Sequence, residues 1–167
     1  MIRIGLLSSL SLLITATVAL SADAGSCTLQ KAVYASEAGG YTLRFKPFVS
    51  DAAAISHLFT LEGDNQSLDG LVMTADEPPH SVARVMKGCP DGDVTGADIA
   101  ACTGFEGYGF AISATGGVSN LAPATDPAPP TLLFAGLGPS LLVSPLGQTL
   151  KITVAPSDVF TFKECAP

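Results

Sequence analysis

The cysteines, at positions 27, 89, 102 and 165, constrain this chain more than any other feature. Cys27 and Cys165 nearly bracket everything that follows an apolar leader, while Cys89 and Cys102 lie close together in the middle. Four such residues allow three pairings. The spacing favours Cys27 with Cys165 and Cys89 with Cys102, because the inner pair then closes one compact loop and the outer pair ties the two ends together. In the chain-entropy account a loop of about 14 residues contributes roughly 3 kcal/mol, and the outer closure somewhat more. No Cys-x-x-Cys spacing occurs, so the arrangement used by thiol oxidoreductases and by most structural zinc sites is missing, and the cysteines read as staples. Such staples persist in oxidising compartments.

The front of the chain agrees with that setting. Arg3 precedes an apolar run from Ile4 to Leu20, and Ala22-Asp23-Ala24 places small residues at both positions a signal peptidase reads. The expected organisation is a signal peptide, residues 1–24, and a single β-rich domain, residues 25–167, in the periplasm or outside the cell. An uncleaved anchor is one alternative, since the run is about as long as a short spanning helix. A lipid anchor through Cys27 is another, because Gly25 and Ser26 are small; against it, Ala24 stands where such sites carry a large aliphatic residue, and one thiol would be left unpaired. No later run reaches spanning length unbroken, so no integral membrane segment is expected after signal cleavage.

Loss of the leader removes Arg3 and Asp23 and leaves the net charge at −7. A surface of that sign repels phosphate backbones and anionic headgroups, which argues against nucleic acid as a partner. It suits a cation, a basic partner or simple solubility.

Short runs of strand character dominate the chain. Leu29–Ala35 is a first strand, and Tyr41, Leu43 and Phe45 alternate with Thr42, Arg44 and Lys46 as a half-buried strand does. Asp51 caps a short expected helical turn through Leu58, followed by strands over 57–62, 68–74 and 81–87. Tyr108, Phe110 and Ile112 repeat at period two, and a Gly- and Pro-rich stretch from Gly116 to Pro130 reads as a long loop suited to mobility or binding. Further short strands are expected at 131–134, 141–144, 150–154 and 160–162. Many short strands between turn formers predict a mainly β fold, a small disulfide-stabilised sandwich or barrel-like domain.

One constellation carries candidate chemistry. Between the inner cysteines, Asp91, Asp93 and Thr95 alternate ahead of Gly96 as in the first half of a calcium loop, but Cys102 stands where such a loop needs its bidentate Glu. The segment therefore offers at most a weak calcium site through Asp91, Asp93, Thr95 and Asp98, and no other cofactor is implied. The residue types otherwise fail to assemble catalytic patterns. His57 and His80 have no ligand or relay spacing, Ser113, Ser119 and Ser144 lack a nucleophile-elbow setting, and Gly136-x-Gly138 lacks a full phosphate-binding fingerprint. Residues 131–143 form a long apolar stretch whose Leu133, Phe134, Leu137 and Leu141 would bind a partner if exposed and would be core strands if not.

These readings favour a non-catalytic extracytoplasmic binding or structural module with an unknown protein or small-molecule partner. The competing expectation is a small periplasmic or secreted hydrolase with His57 or His80 as base beside Asp76, Asp91 or Asp93.

Overall fold

A computed structural model describes residues 26–48 and 54–167. The leader and the helix cap expected at Asp51 lie outside the described residues. Among the described residues nine strands form: β1 Ala32–Ser36, β2 Thr42–Lys46, β3 Ile55–Gly63, β4 Gln66–Asp76, β5 Pro79–Met86, β6 Thr103–Ile112, β7 Val118–Asn120, β8 Thr131–Phe134 and β9 Val159–Cys165. Between them run α1 Gly96–Cys102, α2 Leu137–Val143 and α3 Pro145–Leu150. Neighbouring strands pair antiparallel in the order β5-β4-β3-β2-β1-β9-β8-β6, and β5 pairs with β6 to close a barrel of 8 strands. β7 pairs with the second half of β6, taking over the edge that β5 has left.

The barrel is filled. Tyr34, Phe45, Phe59, Phe134 and Phe160 form a continuous line of rings, with successive centroids 6.0, 5.8, 5.7 and 6.0 Å apart. Each of these side chains is no more than 2% exposed. Glycines opposite the rings make the room: a Cβ on Gly70 would lie 2.1 Å from the Phe59 ring, and one on Gly107 2.7 Å from the Phe105 ring. This explains an inversion on β6. Tyr108, Phe110 and Ile112, the period-two apolar set, point outward, while Gly107, Gly109 and Ala111 point in, the two glycines beneath rings that crowd any side chain. Tyr108 is 54% exposed on the outer wall, against the ring edge of His80.

Both mouths are covered. At one end the stretch after β7 crosses the barrel, burying Leu121 and Ala128. Backbone amides of Leu29, Gln30 and Ala128 donate to carbonyls of Asp126, Ala124 and Cys27, and the Tyr34 hydroxyl donates to Pro129 O at 2.9 Å. The Gly- and Pro-rich loop expected to suit mobility or binding is tied to the barrel as a strap. The other end carries the three helices and the segment 151–158, where the Tyr41 hydroxyl donates to Val154 O and the Asp64 carboxylate accepts from the amides of Thr153 and Val154. Burial and the nearby Asp64 push the Tyr41 hydroxyl up to about 12.

Cys27 pairs with Cys165 at the strap end, and Cys89 with Cys102 at the helix end, with Cα separations of 5.7 and 5.1 Å. In this structure the Cys27 sulfur is engaged by Cys165. Among the described residues no helix is long and apolar enough to cross a membrane.

Several expected elements differ. Leu29–Lys31 is a 3₁₀ turn ahead of β1, and Ile55–Leu58 belongs to β3 rather than to a helical turn. The strands expected at 141–144 and 150–154 are replaced by α2, α3 and the irregular 151–158 segment. Polar caps decide this: Asp158 accepts from the amides of Gly136 and Gly138 at 2.6 and 2.9 Å, and Ser144 accepts from Gly147 N at 2.9 Å with Pro145 opening α3.

Candidate functional site

The helix end carries a groove of about 440 Å³ between α1, β6 and the end of α2. α1 is fixed at both ends. Thr95 and Asp98 form a reciprocal capping box at its start, and the disulfide of Cys102 with Cys89 holds its last residue. α2 turns off β8 through Gly136, which sits at a φ of +83° that favours glycine, and presses Leu137 and Leu141 into the core. Leu141 packs over Gly104 of β6, where a Cβ would come within 2.7 Å of its Cδ1. The opposite side of α2 is consequently turned outward, leaving Leu142 38% and Val143 72% exposed. Ile99 and Ala100 of α1, Thr103, Gly104 and Phe105 of β6, and Ser140, Val143 and Ser144 at the end of α2 line the groove. Glu106 borders it, with its carboxylate held by Arg84, whose Nε donates at 2.7 Å.

The four apolar residues singled out in the sequence do not form this surface. Phe134, Leu137 and Leu141 are core residues no more than 1% exposed, and Leu133 is half-buried on the outer wall opposite Phe110. Helix α2 buries one side against the core, so the large apolar side chains of the 131–143 stretch that remain exposed are Leu142 and Val143. Nor do the acidic residues of the central loop converge. Asp98 accepts from Thr95 N at 2.9 Å and from its hydroxyl at 2.7 Å, bonds that hold the carboxyl below the ordinary carboxylate range. Asp91 and Asp93 stand exposed, and among the described residues no three His, Cys, Asp or Glu groups come together to hold a metal ion.

His57 occupies a second hollow, about 290 Å³, at the strap end with Ser56, Thr74 and residues 121–124. The irregular register between Ile55 and His57 brings two consecutive side chains together. Nε2 lies 3.0 Å from Ala122 O, which only accepts, so Nε2 carries the proton and Nδ1 accepts from the Ser56 hydroxyl at 2.8 Å. The Thr74 hydroxyl in turn donates to Ser56 Oγ at 2.8 Å. Burial keeps the His57 pKa below its ordinary value of 6.5, against a smaller opposing effect of the Ala122 carbonyl. His80 instead lies on the outer wall with Nδ1 donating to Pro78 O at 2.6 Å. Asp91 and Asp93 sit at the opposite end of the barrel from both imidazoles, and the Asp76 side chain lies outside the described residues.

A pH dependence follows with a definite sign. Below about pH 6.5 the unfolded chain binds a proton at this histidine while the folded chain resists it, so stability is lost as the pH falls from that point toward the lowered folded value. Replacing His57 with Gln, which retains a donor and an acceptor, will flatten the decline in urea midpoint between about pH 7 and pH 5 that the parent protein shows. An unchanged slope in the variant would assign the decline to other groups.

Two signals for the groove were present but unread: Thr95-x-x-Asp98 as a capping box and Ser144-Pro145 as an N-cap followed by a first helical residue. They mark α1 and α3, and with them the exposed position of Val143. The Gly136-x-Gly138 amides are already satisfied by Asp158. Comparison with known protein families, with curated proteins and with solved structures finds no match for this chain.

Proposed function

We propose that this protein is a non-catalytic binding or structural module of the periplasm or the extracellular space that meets its partner on the outside of a sealed barrel, at the groove between α1 and α2. The disulfides and the apolar leader support the compartment. The observation that carries the reading is Val143, 72% exposed at the wall of a 440 Å³ hollow whose helices are held by caps and a disulfide. A rigid scaffold that presents an apolar side chain beside a depression suits recognition. The aromatic line inside the barrel leaves the interior to packing, so recognition belongs to the exterior.

One observation favours the hydrolase alternative: the Ser56 hydroxyl lies within hydrogen-bond reach of the neutral His57 imidazole in a hollow. The far ring nitrogen, however, faces a backbone carbonyl rather than a carboxylate that would stabilise an imidazolium, and Ser56 also lies 3.2 Å from Val72 O as a competing acceptor. The network serves to latch the strap to the barrel. Assays with activated ester, amide and glycoside substrates will therefore show no turnover above background; turnover that Ser56→Ala abolishes would establish the hydrolase instead.

A further inference from the structure

In the hollow beneath the strap every side-chain proton is already spent. Nε2–H of His57 goes to Ala122 O, the Ser56 hydroxyl to His57 Nδ1, and the Thr74 hydroxyl to Ser56 Oγ. A hydroxyl oxygen carries two lone pairs besides its proton. Thr74 Oγ1 accepts from no group among the described residues, and Ser56 Oγ accepts only from Thr74. Both side chains line the hollow and are half-buried, so these acceptors are open to a molecule that enters. The rest of the lining is Leu121, Ala122, Pro123 and Ala124, apolar apart from backbone. No Lys, Arg, Asp or Glu is among the lining residues, so an ion would shed water there without meeting an opposite charge. We infer that this hollow binds a small neutral alcohol, with a compact apolar body against Leu121 and Pro123 and its hydroxyl donating to Thr74 Oγ1. A second polar group such as an amide carbonyl finds no free side-chain proton, which excludes more polar ligands of the same size. The volume of about 290 Å³ lies at the lower end for small-molecule sites. This site sits at the opposite end of the barrel from the α1–α2 groove and stands independently of the role proposed for that groove.

Cyclohexanol, titrated into the oxidised protein and followed by amide chemical shifts, is expected to give saturable changes at Ser56, His57, Thr74, Leu121, Ala122 and Ala124. Methoxycyclohexane has the same ring and an ether oxygen that cannot donate, and it is expected to bind at least about threefold more weakly, the worth of one net hydrogen bond. Thr74→Val keeps the side-chain shape and removes the acceptor, so in that variant cyclohexanol is expected to fall to the affinity of the ether. The ratio of the two probes in the parent protein tests the need for a donor without any substitution, should the variant not fold. Equal binding of alcohol and ether by the parent would overturn the inference and leave an apolar hollow. A preference for the alcohol that survives in Thr74→Val would overturn the assignment of Thr74 as its acceptor. Cyclohexylammonium binding as tightly as cyclohexanol would overturn the neutral ligand. Shifts confined to residues 96–103 and 140–144, or none at any probe concentration, would overturn the site while leaving the reading of the α1–α2 groove untouched.

Discussion

Replacing Cys27 and Cys165 together with serine will lower the free energy of unfolding by about 5 kcal/mol. The bond spans 138 positions of sequence, so its removal frees nearly the whole described chain in the unfolded state. The same reasoning gives about 3 kcal/mol for the inner bond, which spans only 13 positions, and the order of the two losses is itself a check. Against a typical total of about 5–15 kcal/mol for a domain, loss of the outer bond brings the protein near its folding threshold. The structural consequence is local as well as entropic. Cys27 is buried next to the strap, and its carbonyl accepts from Ala128 N, so the bond fixes the N-terminal turn, the strap and the end of β9 to one another. Urea unfolding of both double variants measures the ranking; a smaller loss for the outer pair than for the inner one would contradict it.

Phe59→Ala will cost about 3–5 kcal/mol, the largest effect expected from one substitution. Phe59 sits between the rings of Phe45 and Phe134, at centroid distances of 5.8 and 5.7 Å, and its edge fills the space above Gly70. Neighbours anchored on other strands cannot all close over the gap, so a cavity term adds to the lost transfer energy. The far smaller truncation Val143→Ala, at a residue 72% exposed, provides the contrast and is expected to stay within about 0.5 kcal/mol. Comparable losses at both positions would mean that Phe59 does not lie at the centre of a packed interior.

The mainly β architecture and both disulfides were legible because strand periodicity, turn formers and cysteine spacing are local or nearly so. The inversion of β6 was not, since the period-two rule separates the two faces of a strand without saying which is inside; the rings of Phe105 and Phe134, one of them from another strand, decide that. The α2 helix was hidden because its cap comes from Asp158, 22 positions from Gly136, and its apolar sequence reads equally well as buried strand. Leu133, Phe134, Leu137 and Leu141 were a contact surface only if exposed, and the last three are buried, two of them from a helix rather than a strand. In the acidic loop carboxylates at alternate positions suggest a cation site, and the structure adds a pairing the spacing alone does not announce: Thr95 and Asp98 bind each other to start a helix. The His57 latch was invisible because both its acceptor and its donor partners depend on the strap and on an irregular register.

The most direct test asks whether the barrel interior admits a ligand at all. Dissolved benzene can be followed by nuclear Overhauser contacts to assigned methyl groups of the oxidised protein. A solid interior predicts contacts at Ile99 and Val143 along the groove and none at Leu61, Leu68 or Leu132. Saturable contacts to those inner leucines would show that the barrel holds small apolar molecules, and would contradict a module whose recognition lies wholly on its outer surface.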